Sequence, residues 1–239
     1  MFVEVSYSLV PDEIVMPGPI AKPEVIKRSR MAEQPEGSDE EEVRWGSYNN
    51  TSFARFFIHT GTHIDVPFHV APDGFQLHEY SLNDFIFENP VLLEFSKGDL
   101  EKITVEELQV HEEELSKADV LLIYTGHSKI RMQDPERFVA KQPSFTLEAA
   151  NYLVDNFNIR AFGVDVIGIE NIPEGKAASP IQFPIHKTFL LKKKQKTFVI
   201  EDLNLAVLLG KKIHRFYAIP TRFYGFEGMP VTAFAEVED

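Results

Sequence analysis

The chain has 239 residues, 44% of them hydrophobic and 26% charged, and that length buries one sizeable core, so a single domain is the simplest expectation. Its formal net charge of −13 argues against nucleic-acid binding, since phosphates are repelled without a strong basic patch, and Lys192-Lys193-Lys194 with Lys196 is short enough to be a turn. With zero cysteines, disulfides, thiolate zinc fingers and a cysteine nucleophile are excluded, and any metal must use nitrogen and oxygen ligands. The N-terminus lacks the basic-then-apolar layout of a signal peptide, and no apolar run approaches membrane-spanning length. A soluble cytoplasmic protein with no membrane partner is the default expectation.

In chain order, Phe2 to Leu9 alternates like a strand, and Met16-Pro17-Gly18-Pro19 reads as a turn able to line a pocket. From about Lys27 to Asn50 the composition turns polar around the acidic run 36–42, which predicts a solvated loop or insertion. Trp45, the single tryptophan, ends that stretch; stacking on an aromatic ligand and half-buried packing both fit it. Ser52 to Ile58, rich in aromatic and β-branched residues, predicts a strand.

That strand leads into His59-Thr60-Gly61-Thr62-His63-Ile64-Asp65-Val66-Pro67-Phe68-His69, which places three of the eight histidines and an aspartate in one short segment. Histidine with carboxylate at this density asks for a metal ion. A helix is disfavoured, because Gly61, Thr62, Ile64, Val66 and Pro67 are poor helix formers. In an extended chain His59, His63, Asp65 and His69 share one parity and one face. A straight strand would still hold His59 and His63 roughly 13 Å apart, so a bend is needed. Gly61 can supply it, and Pro67 can stiffen the exit toward His69.

Further along, Val91 to Phe95 predicts a strand, and Thr104-Val105-Glu106-Glu107 has the spacing of a capping box opening a helix to about Lys117. A buried strand from Asp119 to Thr125 follows, then a helix from Leu147 to Phe157 and a strand from Arg160 to Val166. This alternation implies a partly parallel sheet with helices against it. Thr197 to Ile200, Ile213 to Ile219 and Val231 to Val237 read as closing strands. Glu201 ends an apolar run, where a carboxylate is either exposed or paired; on spacing alone both readings stand. His186 taken alone reads as an ordinary surface histidine. His127, after the Thr125-Gly126 strand end, is a candidate substrate contact of the kind α/β proteins place there.

The His59–His69 segment resembles the signature of the metal-dependent cyclase-like hydrolases, which include bacterial-type kynurenine formamidases and isatin hydrolases. A second signature of that family, a histidine and an apolar pair, then a strand ending in glutamate before Leu-x-Leu, is matched by His186, Leu190-Leu191, Glu201 and Leu203-Asn204-Leu205. Weaker matches run the length of the chain: the Met16-Pro17-Gly18 turn, Tyr124-Thr125-Gly126, Phe162-Gly163-Val164-Asp165 and Gly228-Met229-Pro230-Val231.

The resemblance implies an α/β single domain with a mixed sheet of the swivelling β/β/α type, assembled as a homodimer or homotetramer. It implies one or two divalent ions, zinc or manganese, on His59, His63, Asp65, His186 and Glu201, with Asp65 able to bridge and His69 as general acid/base. The implied activity is hydrolysis of C–N bonds other than peptide bonds, with metal-bound hydroxide attacking a small amide, lactam or ester. Two departures count against a plain N-formylkynurenine enzyme: Met16 stands where the formamidases place a ring-stacking aromatic, and Thr232 replaces the usual arginine. The competing class is a non-catalytic metal- or small-molecule-binding protein on the same scaffold.

Overall fold

The computed structural model describes residues 1–10, 24–31 and 48–238, with residues 24–31 and 48–53 described by their backbone alone. The Met16 turn, the acidic run 36–42 and Trp45 lie outside the described residues. Strand β1 (Phe2–Glu4) is shorter than the alternation suggested, and β2 (Glu24–Met31) pairs antiparallel with β3 (Tyr48–Arg55) from Glu24 opposite Arg55 to Met31 opposite Tyr48. The stretch expected to be loop from Lys27 is therefore strand at both ends. Polarity reports exposure to water, whereas ladder bonds are made by the main chain whatever the side chain.

The chain continues through β4 (His63–Asp65), β5 (Ile86–Phe87), β6 (Pro90–Glu94) and β7 (Lys102–Ile103) to helices α1 (Val105–Gln109) and α2 (Glu112–Leu115). Then come β8 (Val120–Tyr124), α3 (Pro135–Ala140), β9 (Ser144–Phe145), α4 (Leu147–Asn156), β10 (Ala161–Val164), α5 (Ile172–Ala177) and α6 (Pro184–Leu191). Strands β11 (Phe198–Glu201), β12 (Ile213–Pro220) and β13 (Gly228–Val237) close the fold. The capping box forms: the Glu107 amide donates to the Thr104 hydroxyl, and the Thr104 amide to the Glu107 carboxylate at 2.9 Å. The expected single helix to Lys117 is instead two, because His111 leaves the helical region at φ −111°, ψ 18° and becomes the N-cap of α2.

The main sheet runs β5-β12-β13-β4-β11-β10-β8-β6, with β1 added beside β13. Strands β6, β8, β10 and β11 are mutually parallel, and β4 is antiparallel to both neighbours, β11 and β13. The protein is thus an α/β domain with a mixed sheet, and β4 is the seam between its parallel and antiparallel halves. Parallel strands are buried on both faces, as β8 shows: Leu121 and Ile123 meet the helices α4 and α6, while Val120, Leu122 and Tyr124 meet Phe216, Ala233 and Ala235 from the antiparallel half. On the helix side α4 buries Ala149, Ala150, Leu153 and Val154, while Leu147 at its start is exposed. Among the described residues no helix is long and apolar enough to cross a membrane.

Candidate metal centre

The histidine-rich segment folds as a bend, a three-residue strand and a turn. Strand β3 stops at Arg55, short of the expected Ile58, and the chain turns through His59 to Thr62 with Gly61 at φ +63°. A Cβ at that φ would be strained and would also lie 2.8 Å from Leu9 Cδ2. Strand β4 then fixes His63 and Asp65 on one face, and Pro67 opens the 3-10 turn Pro67–His69 that presents His69. His63 Nδ1 lies 2.8 Å from the Gly61 carbonyl. A carbonyl only accepts, so this contact places the proton on Nδ1 and leaves Nε2 as a lone-pair donor facing the site.

Sheet register brings the second half of the site to the first. His63 stands opposite Glu201, whose Oε2 is 3.2 Å from His63 Nε2, and Asp65 stands opposite Gly228. Only glycine fits at 228, since a Cβ there would sit 2.5 Å from the Ile64 carbonyl and 3.0 Å from Asp65 Oδ1. His186 arrives on α6, started by Phe183 in a left-handed N-cap and Pro184 at the first turn. The Glu170 carboxylate accepts the amides of Ile185 and His186 at 3.1 Å and lies 3.2 Å from His186 Nδ1. His186 Nε2 points to Glu201 Oε1 at 3.2 Å, and Glu201 Oε1 also accepts the Ile169 amide at 2.7 Å. Gln142 donates to the carbonyls of Gly168 and Glu170, holding the loop that carries Glu170.

Asp65 is the centre of this arrangement. Its Oδ1 is 2.7 Å from His59 Nδ1 and 3.7 Å from His63 Nε2, and its Oδ2 is 3.8 Å from His69 Nε2. Two sets of donor atoms, His59-Asp65-His69 and His63-Asp65-Glu201, each converge within 4.8 Å and share Asp65. Yet Asp65 Oδ1 and Oδ2 and His63 Nε2 are buried with no partner in hydrogen-bond geometry. A buried carboxylate without well-formed hydrogen bonds is costly, and convergent nitrogen and oxygen lone pairs are the donor set that zinc or manganese takes. The residues fit divalent metal at one or two positions.

The electrostatics agree with that fit. Burial disfavours charge on His59, but the adjacent Asp65 carboxylate outweighs it and raises its pKa to about 10. Burial likewise opposes protonation of His186, and Glu170 with Glu201 override it, again to about 10. His63 is raised by the same balance, while the surrounding imidazoles overcome the burial that would raise Asp65 and hold it well below the carboxylate range. Glu201, despite burial and the Asp65 charge, is lowered to about 2 by His186 and His63. Burial dominates for His69 and lowers its pKa, so the ring is neutral near pH 7. It is also the most open of the six, its side chain 31% exposed against 8% or less for the others.

All six residues line one cavity of about 440 Å³, whose other walls include Phe57, Ile167, Ile172, Phe183 and Lys187. His127 does not line it: its ring stacks on Phe138, with Nε2 3.1 Å from the Phe138 carbonyl. Met16 and Trp45 fall outside the described residues. Sequence reasoning missed Glu170, although the argument applied to Glu201, an acidic residue closing an apolar run, applies to Val166–Ile169 as well.

A cyclase-like protein of Arabidopsis thaliana, cyclase-like protein 2, is 29% identical over 191 residues, covering 78% of this chain and 65% of that protein. A kynurenine formamidase of Geobacillus thermodenitrificans is 34% identical over 128 residues, covering 54% of each. The chain therefore spans less than two thirds of the length of either relative. Isatin hydrolase A from Ralstonia solanacearum shares the fold, with a TM-score of 0.75 over 100% of this chain and 92% of that one at 22% identity. The family model described as "Putative cyclase" matches residues 3–171, a span that takes in the whole His59–His69 segment and Glu170. Because the match covers more than half of the residues, the chain belongs to the cyclase family.

Proposed function

We propose that this chain is a metal-dependent hydrolase that cleaves the C–N bond of a small amide or lactam, in the manner of an arylformamidase. The observation that carries the reading is Asp65, buried where two histidine-containing donor sets converge, with neither oxygen in hydrogen-bond geometry. The names of the relatives, a kynurenine formamidase and an isatin hydrolase, support the bond type. His59, His63, Asp65, His186 and Glu201 would hold one or two ions. A divalent ion so held supplies Lewis acidity toward a carbonyl and lowers the pKa of a water toward about 7.

The remaining work falls to the chain. His69, neutral and open to the cavity, accepts a proton at Nε2 from the attacking water and delivers it to the departing nitrogen. Glu170 fixes the tautomer and orientation of His186 through Nδ1. Phe57 and Phe183 supply apolar walls to the cavity. A second role for His69 has its own observation, since it converges with His59 and Asp65 as a donor set. His69→Ala separates the two: as a proton carrier its loss leaves metal stoichiometry at the wild-type value, and as a ligand its loss lowers it.

Elemental analysis of the purified protein, followed by hydrolysis of aryl formamides and lactams with and without chelator, tests the function. One or two equivalents of metal with chelator-sensitive hydrolysis is the expected result. Tight metal without turnover would favour the binding-protein reading, and no metal under replete conditions in a folded protein would refute the site. The homodimer or homotetramer belongs to the same proposal and is tested by sedimentation velocity.

A further inference from the structure

Behind the metal centre lies an enclosed ion pair. The Arg131 fork grips Asp202, with Nε 2.8 Å from Oδ1 and Nη2 2.7 Å from Oδ2, and both side chains are buried. Neither residue lines the cavity. Asp202 directly follows Glu201, and the antiparallel register that sets His63 opposite Glu201, extended by one position, sets Thr62 opposite Asp202. The Thr62 hydroxyl donates to the Asp202 carbonyl at 2.5 Å and accepts the Tyr7 amide at 2.9 Å. The Tyr7 ring lies against the guanidinium, its centroid 4.0 Å from the central carbon.

Asp202 also holds a left-handed backbone, φ +56°, where β11 ends. That conformation costs a non-glycine residue free energy and persists where surrounding contacts hold it. Here the Asp202 amide donates to the Val166 carbonyl at 2.8 Å, and Arg131 fixes the side chain from two nitrogens. A buried ion pair adds little stability over an apolar pair of the same volume, whereas the planar fork of arginine accepts one carboxylate orientation. Direction is what Arg131 contributes. We propose that Arg131 is a positioning residue of the metal centre: through Asp202 and Thr62 it sets the end of the β4–β11 ladder, and with it the separation of His63 Nε2 from the Glu201 carboxylate. The inference rests on the metal-centre reading given above.

Removing Arg131 alone would strand the buried Asp202 charge, so the test uses the paired variant Arg131→Met/Asp202→Asn, which removes both charges and keeps a residue tolerant of left-handed φ. Its midpoint in chemical denaturation should lie near that of the wild type. Its affinity for zinc and for manganese, read by competition against a chelator, should fall about 10–100-fold, as for other contacts behind metal ligands. Leu153→Ala, in the core face of α4, should lower the midpoint and leave metal affinity unchanged, which separates positioning from loss of stability. Amide exchange of the metal-free protein reads the clamp without the ion, and the segments 60–66 and 199–204 should exchange faster in the paired variant. If that variant does not fold, Arg131→Lys, which keeps the charge and loses the fork, carries the same tests with a smaller expected drop. Wild-type metal affinity in a folded variant overturns the positioning role and leaves the metal centre intact. Faster exchange at both segments, with no metal bound even by the wild type, keeps the clamp and refutes the metal reading.

Discussion

The two sides of the candidate site are held in different ways. His63, Asp65 and Glu201 sit on adjacent strands, so the hydrogen-bond register that sets His63 opposite Glu201 also sets their separation. His59, His69 and His186 come from a bend, a 3-10 turn and a short helix, and owe their positions to contacts such as Glu170 with His186. A strand-held donor moves only if the ladder moves. A turn-held donor moves when one supporting contact is lost, so the two sides should respond differently to substitution.

The largest effect is expected on the strand side. Asp65→Asn removes the charge shared by both donor sets and should cost more than about a hundredfold in metal affinity, beyond the roughly 10–100-fold typical of outer-shell changes. Metal content after dialysis checks this, and a wild-type value would contradict the shared role. On the turn side, His69→Ala should lower kcat by about 10²–10⁴-fold while metal content stays at the wild-type level. Glu170→Gln keeps the shape of the loop but loses the charge behind His186, and about a 10–100-fold weaker metal affinity is expected, with Glu170→Asp intermediate. A competition titration against a chelator measures both.

Acid should act through the turn-held side. His59 and His186 have pKa values raised to about 10, so below that pH each ring holds a proton that an ion must displace. Apparent metal affinity therefore rises with pH and falls in acid, with protons released on binding at pH 7. Calorimetry in buffers of different ionisation enthalpy counts them, and zero release would contradict the raised values. The smallest effect is at the hinge between β3 and β4: Gly61→Ala must adopt φ +63° and should cost about 1 kcal/mol in chemical denaturation, with a modest loss of metal affinity as His59 shifts.

Much of this was legible in the sequence because the first four donors lie within eleven residues. Their common parity, the bend at Gly61 and the stiffened exit at Pro67 followed from residue type; the structure bends at Gly61 as expected, and Pro67 opens the turn that presents His69. The strand-helix-strand pattern likewise announced the parallel part of the sheet. What was not legible depends on contacts distant in sequence. Glu170 reaches His186 only after α5 folds between them, and the insertion of β4 antiparallel between β11 and β13 has no local signal. The polar segment from Lys27 misled because charge masks a ladder made by the main chain.

The place of β4 in the sheet also bears on how the protein is made. Its two neighbours, β11 and β13, are supplied by residues 198–201 and 228–237, more than 130 positions later in the chain. A ribosome releases His59 to His69 long before either partner exists, so the nascent segment carries its donors without the ladder that aligns them. Stalled chains ending near residue 190 should therefore retain no more metal than an unstructured peptide. Acquisition of an ion would then wait until β11 and β13 are in place, and its occupancy would read out the closing of that ladder.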